Sequence, residues 1–242
     1  MELLAAVGLS LLGSGGGVVL ASPLLLVERR RRQQIVPGLI SYAVGTLLGV
    51  AMLALVPEAL ESLDATAALG ALLAGILTFF VLEKFVLWRH CHTDDCEAHD
   101  TSALLILIGG ALHNLTDGAI VGAAVLTSIP LGLTTALAVA AHQIPQEVSD
   151  YAILLDAGYS RVRAFALNAL SASTCAVGAA LVWGASSWTP LALPYVLAFA
   201  AGSFLYVAMS DLIPGLHRDA VDVGALRQVV FIAAGIGTIV LL

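Results

Sequence analysis

Charge is the scarcest commodity in this sequence. Of 242 residues, 10 are Lys or Arg and 17 are Asp or Glu, 11% in all, against roughly 25% in an ordinary soluble domain. A chain so poor in charge cannot coat itself for water, which excludes a soluble globular enzyme. The 60% apolar content excludes a disordered chain. A net charge of −7 with a single Arg run excludes a basic nucleic-acid binder. Cysteine is nearly missing too. Cys91, Cys96 and Cys175 are few and odd in number, which excludes a disulfide scaffold. What remains is a polytopic membrane protein, and the mean hydropathy of +0.98 agrees.

Apolar runs bounded by turns or charges cover 3–27, 36–57, 67–87, 102–126, 131–156, 162–184, 191–213 and 225–242. A span needs about 20 residues, so these runs predict an all-α bundle of eight transmembrane helices. An outer-membrane barrel would show short alternating segments instead. The runs are rich in Leu, Ala and Gly, which suits closely packed membrane helices and permits a homodimer. The first run has Glu2 as its only early charge and lacks the basic start of a signal peptide. It reads as a span entered N-terminus outside, anchored by Arg29, Arg30, Arg31 and Arg32.

The other basic residues test this topology. Lys84 and Arg89 follow the third run, Arg161 and Arg163 the fifth, Arg218 and Arg227 the seventh. With eight spans and both termini outside, all of them fall on the cytoplasmic side, as the positive-inside rule requires. The whole of 1–242 then forms one transmembrane domain in the cell (inner) membrane, with a cytoplasmic loop at 88–101. That loop carries His90, Cys91, His92, Cys96 and His99. Their spacing matches no closed zinc-finger pattern, so weak metal capture and a plain solvated loop both stand.

An ionisable group deep in a span costs roughly 2.5–3.5 kcal/mol on insertion scales and marks function. The fourth run contains His113-Asn114-Leu115-Thr116-Asp117-Gly118. His113 and Asp117 are four residues apart and Asn114 and Asp117 three, so all three share a helix face. Imidazole nitrogen, amide oxygen and carboxylate all bind divalent metals. The alternative is a hydrogen-bonded face that packs two helices. The fifth run contains His142-Gln143-Ile144-Pro145-Gln146-Glu147-Val148-Ser149-Asp150. His142 and Gln146, Gln143 and Glu147, and Gln146 and Asp150 are each four apart. Pro145 removes a backbone donor and predicts a kink. Glu58 and Asp211, at the ends of the second and seventh runs, are ambiguous between helix-end carboxylates and a cation path. Asn168 and Ser171 read as glue between helices. No Lys or Arg lies deep in any run to pair with Asp117 or Glu147. Buried carboxylates without a protein counter-charge need protons, water or a cation, and neighbouring histidines favour a transition metal.

At these residues the chain resembles the ZIP (zinc/iron-regulated transporter-like) family of divalent metal transporters. HNLTDG resembles the family's HNxxDG signature, and HQIPQEVSD its HEIPHE or HEIPQE run. VPEAL and FLYVAMSDLIP extend the match over most of the chain. The resemblance implies a three-plus-two-plus-three helix arrangement and a transport site between the fourth and fifth helices. Its ligands would be His113, Asn114, Asp117, His142, Gln143, Gln146 and Glu147. Relatives often bridge two metals with acidic residues. Here Gln143 stands where Glu is common, so one transported ion is expected. The expected function is uptake of a divalent transition metal, Zn²⁺ first and Fe²⁺, Mn²⁺ or Cd²⁺ as further candidates, with no prosthetic group and no enzymatic step. Two rivals remain: a membrane sensor that binds metal without moving it, and an intramembrane zinc hydrolase, for which HExxH is absent.

Overall fold

The structure, a computed structural model, describes residues 1–90, 98–186, 190–216 and 224–242. Among these the chain is helical throughout, with no strand. The helices are α1 (Glu2–Ala21), α2 (Arg29–Val50), α3 (Val56–Ser62), α4 (Ala65–His90), α5 (Ala98–Thr127), α6 (Ile129–Asp156), α7 (Arg161–Ser186), α8 (Leu193–Tyr206), α9 (Ile213–Leu216) and α10 (Gly224–Leu241). Of the loop for which weak metal capture and a plain solvated role both stood, Cys91, His92 and Cys96 lie outside the described residues, as do the side chains of His90 and His99, and that of Asp211 at the end of the seventh run.

Local chemistry sets the boundaries. Ser128 caps α6, its hydroxyl accepting from the Leu131 amide at 3.3 Å, with Pro130 in the first turn where its missing N–H costs nothing. Asp64 Oδ1 accepts from the amides of Thr66 and Ala67 at 2.9 and 3.0 Å and so starts α4. Gly158, at φ 86, turns the chain from α6 to α7 in a conformation that costs glycine no steric penalty. The Arg run expected between two helices is instead the first turn of α2.

Two rods are broken in the same way. A π-helical turn at Ala51–Leu55 separates α2 from α3, and another at Val207–Leu212 separates α8 from α9. Each is followed within two residues by a proline, Pro57 or Pro214. A proline inside a helix removes a donor and clashes with the preceding turn, and a wider turn relieves both. Pro145 has no such effect on assignment: α6 is a continuous helix from Ile129 to Asp156.

Among the described residues, six segments are long and apolar enough to cross a membrane by length and composition: 2–24, 34–62, 65–82, 161–186, 193–216 and 224–241. On α5, the side chains of 98–106 lie outside the described residues.

The helices pack in two groups. In one, α1, α5, α6 and α7 touch one another, most extensively α5 on α7 and α1 on α6 and α7. In the other, α2 packs on α10, and α4 and α3 on α8. The main crossing between groups is α2 against α6, with lesser contact of α5 on α8. Glycines set the closest approaches, and in reciprocal pairs. A Cβ at Gly118 would strike the Cys175 carbonyl and one at Gly178 the Leu115 carbonyl, which clamps α5 to α7. Gly75 and Gly202 do the same for α4 and α8 against Phe199 and Leu72. An apolar core that includes Leu47, Leu55, Val121, Val139, Leu197 and Phe204 runs across both groups.

Candidate metal centre

The polar residues of α5 and α6 meet where the two helices face each other. His113 Nε2 lies 3.4 Å from Asp117 Oδ2, His142 Nε2 lies 3.3 Å from the same oxygen, and the two imidazole nitrogens are 3.3 Å apart. The helical spacing places His113 above Asp117 on α5, and α6 brings His142 across to close the triangle. Among the described residues this is the group of His, Cys, Asp and Glu whose donor atoms converge closely enough for a metal ion.

Each corner is held. His142 Nδ1 is 3.0 Å from the Ala138 carbonyl. A carbonyl can only accept, so Nδ1 carries the proton and the Nε2 lone pair faces the triangle. Gln143 donates from Nε2 to both Asn114 Oδ1 and Asp117 Oδ2, each at 2.9 Å. Asn114 in turn donates to the Gly110 carbonyl at 2.9 Å. Gln143 therefore tethers Asp117 at the same oxygen that faces the imidazoles, and Asn114 anchors Gln143 in turn. This fixes which of its neighbours can face an ion: Asn114 Oδ1 is already engaged by Gln143, while Gln143 Oε1 is buried and unpartnered. The centre is deep, with Asp117 and Asn114 1% exposed, His142 2% and Gln143 0%.

Aromatic rings from the other helix group close the far side. Phe79 of α4 meets His113 edge-on at 6.3 Å between centroids, and Phe204 of α8 meets His142 at 5.9 Å. Sequence reasoning missed both rings. Phe204 lay in the quoted FLYVAMSD stretch, but nothing in one sequence said which spans touch.

Of the other candidates, Gln146 lines a cavity of about 510 Å³ together with His113, Thr116, His142, Pro145, Ser149 and Asp150. Glu147 does not line it. Its side chain is buried, with Oε2 lacking a hydrogen-bond partner. The opposite wall comes from Ile40, Phe79, Leu82, Tyr206, Val207 and Leu212, so the cavity lies between the two helix groups. No Lys or Arg among the described residues forms an ion pair with Asp117, Glu147 or Asp150. Asn168 and Ser171 are buried on α7, as expected for residues between helices, and Asn168 Nδ2 has no partner.

Comparison with known proteins points the same way as the geometry. A family model described as ZIP zinc transporter matches residues 88–242. The zinc transporter ZIP13 of Pongo abelii is 35% identical over 218 residues, covering 84% of this chain and 65% of that protein. The zinc transporter YKE4 of Saccharomyces cerevisiae is 31% identical over 242 residues, covering 84% of this chain and 70% of its own length. Human zinc transporter ZIP4 is 44% identical over 116 residues, which make up 47% of this chain and 18% of that protein. The chain thus spans about two thirds of the longer-matching relatives.

Proposed function

The chain belongs to the ZIP zinc transporter family, and from that membership and the triangle of His113, Asp117 and His142 we propose that it carries a divalent transition metal, Zn²⁺ foremost, across the membrane into the cytoplasm. Members of this family are transporters and not enzymes, which removes the hydrolase alternative. The cargo would sit between α5 and α6. His113 Nε2, His142 Nε2 and Asp117 Oδ2 are its direct ligands. Gln143, anchored by Asn114, holds Asp117 in place, Gln146 offers an amide from the cavity wall, and Glu147 stands one turn below Gln143.

One observation carries the reading. A tetrahedral ion with bonds of about 2.0–2.1 Å sets its ligand atoms about 3.3–3.4 Å apart. The three edges of the triangle are 3.3, 3.3 and 3.4 Å. Three corners of a tetrahedron are therefore preset, and the fourth can be water or Gln146 from the cavity. A site with a free corner also suits exchange, since a transported ion must leave as well as bind.

Gln143 supports the one-ion expectation. Its neutral amide donates to Asp117 where a second carboxylate would repel it. The two helix groups supply a route for movement. The group of α1, α5, α6 and α7 bears the cargo and slides against the group of α2, α3, α4, α8, α9 and α10. Its imidazoles meet that second group through edge-on ring contacts that can slip, with no hydrogen bond to break. In the eight-span topology with both termini outside, the C-terminal end of α6 faces the cytoplasm. The cavity runs from His142 towards that end, so the conformation is open inward.

Reconstituted vesicles test the proposal. Zn²⁺ accumulation should be lost in His113→Ala and Asp117→Ala, together with Zn²⁺ binding. Full uptake in Asp117→Ala would overturn the site. Tight binding with no uptake in the unaltered protein would leave a sensor instead of a transporter.

A further inference from the structure

The cavity continues past the triangle. His142, Gln146 and Asp150 follow one another at four-residue steps along α6, and all three line its wall. At 1.5 Å per residue, Asp150 stands about 12 Å beyond His142 along the helix axis. Among the described residues lining this cavity it is the one carboxylate. Among the described residues it forms no ion pair and accepts no hydrogen bond. Across from it the wall is largely apolar, with Ile40, Leu82, Val207 and Leu212.

Gly110 lines the cavity beside that carboxylate. A Cβ at position 110 would lie 3.6 Å from Asp150 Oδ2 and 3.1 Å from Ser171 Oγ. An uncompensated carboxylate on the wall of a cavity in a membrane bundle is costly, and a cation relieves the cost. Its neighbours on the same α6 wall are the Gln146 amide and the Ser149 hydroxyl, while the imidazoles of His113 and His142 line the same cavity two turns back. Such an all-oxygen set takes a hydrated dication and discriminates little between hard and borderline ions.

We propose that Asp150, with Gln146 and Ser149, forms a second station for a divalent cation on the α6 wall, where the ion released from the triangle is held before it leaves. This inference rests on the transport reading of the triangle. It differs from the triangle in ligand chemistry. The station should accept Mn²⁺ and Zn²⁺ alike, while the two imidazoles favour Zn²⁺.

The test uses the full chain, purified for equilibrium Zn²⁺ binding and reconstituted for Zn²⁺ uptake. Asp150→Asn should leave Zn²⁺ affinity at the triangle within about twofold and lower maximal uptake roughly fivefold to tenfold, a loss in turnover without a loss in binding. Asp150→Glu keeps the charge and should recover most of the uptake, which separates the station from a folding defect. Mn²⁺ binding followed by electron paramagnetic resonance in an Asp117→Asn background should persist and vanish when Asp150→Asn is added. Unchanged uptake in Asp150→Asn, or Mn²⁺ binding indifferent to it, overturns the station and leaves the triangle standing. Zn²⁺ binding that survives Asp117→Asn at full affinity overturns the parent reading instead.

Discussion

The two helix groups share one packing device and differ in what they bury. Both are clamped by reciprocal glycine pairs, Gly118 with Gly178 in one and Gly75 with Gly202 in the other. Among the described residues, every buried carboxylate, amide and imidazole belongs to the group of α1, α5, α6 and α7: Asn114, Asp117, His142, Gln143, Glu147 and Asn168. The other group buries only the hydroxyls of Ser41, Thr46 and Ser203, which bond back to their own helices. A hydroxyl that returns to a carbonyl one turn away needs no partner helix. A carboxylate does. The lesson is a division of labour: one group holds its buried polar residues by its own internal bonds, and the other packs against it as an apolar frame.

Breaking the polar group should have the largest effect. Asp117→Asn keeps the shape and removes the only charge in the triangle. Zn²⁺ affinity should fall by more than about a hundredfold, beyond the 10–100-fold typical of outer-shell changes, as read by calorimetric titration. Next comes Gln143→Ala, which deletes the donor to both Asn114 and Asp117 and leaves the first-contact atoms intact. Affinity should drop about 10–100-fold, and restoring charge instead with Gln143→Glu should disturb Asp117 by repulsion. If Gln143→Ala binds Zn²⁺ normally, the amide tether has no role.

The glycine clamps sharpen the comparison because they occur in both groups. Gly178→Ala and Gly202→Ala each place a Cβ against a backbone carbonyl, and each should destabilise by about 1–3 kcal/mol, the usual cost of overpacking. Gly178→Ala shifts α7 against α5 and should also weaken Zn²⁺ binding. Gly202→Ala should lower thermal stability with little change in binding. Equal effects of the two on binding would dissolve the distinction between the polar group and the frame. The smallest effect belongs to Thr46→Val, which removes one intrahelical bond of 2.9 Å to the Ala43 carbonyl. A net loss of about 0.5–1 kcal/mol or less is expected, with Zn²⁺ uptake unchanged.

Much of the candidate site was legible because helical periodicity is short-ranged. His113 and Asp117 had to share a face once the fourth run was read as a helix, and the triangle uses that pair. The motif also marked His142 and Gln143. What it could not say was their direction. His142 turns to the triangle through a bond to Ala138, while Gln143 spends its amide protons on Asn114 and Asp117. Ligand and tether are adjacent residues with opposite tasks, and only the crossing of α5 and α6 separates them. The glycine pairs were equally hidden, since Gly118 and Gly178 are sixty positions apart by number and meet only in space. The breaks after α2 and α8 were not legible: the second apolar run ends at Pro57 and the seventh just before Pro214, while helix continues through Ser62 and through Leu216 beyond a wider turn.

Composition and local spacing alone determined that this chain is a helical membrane protein carrying a candidate metal-binding pair on one helix and a third candidate donor on the next. Both follow from energies that act within a few residues: the cost of charge in hydrocarbon and the 3.6-residue repeat. Tertiary packing decided that the three donor atoms stand at tetrahedral spacing, that the Gln143 amide holds the carboxylate, and that the cavity follows α6 to Asp150. These depend on contacts between residues far apart in the chain, and their cost and gain exist only once the helices have met.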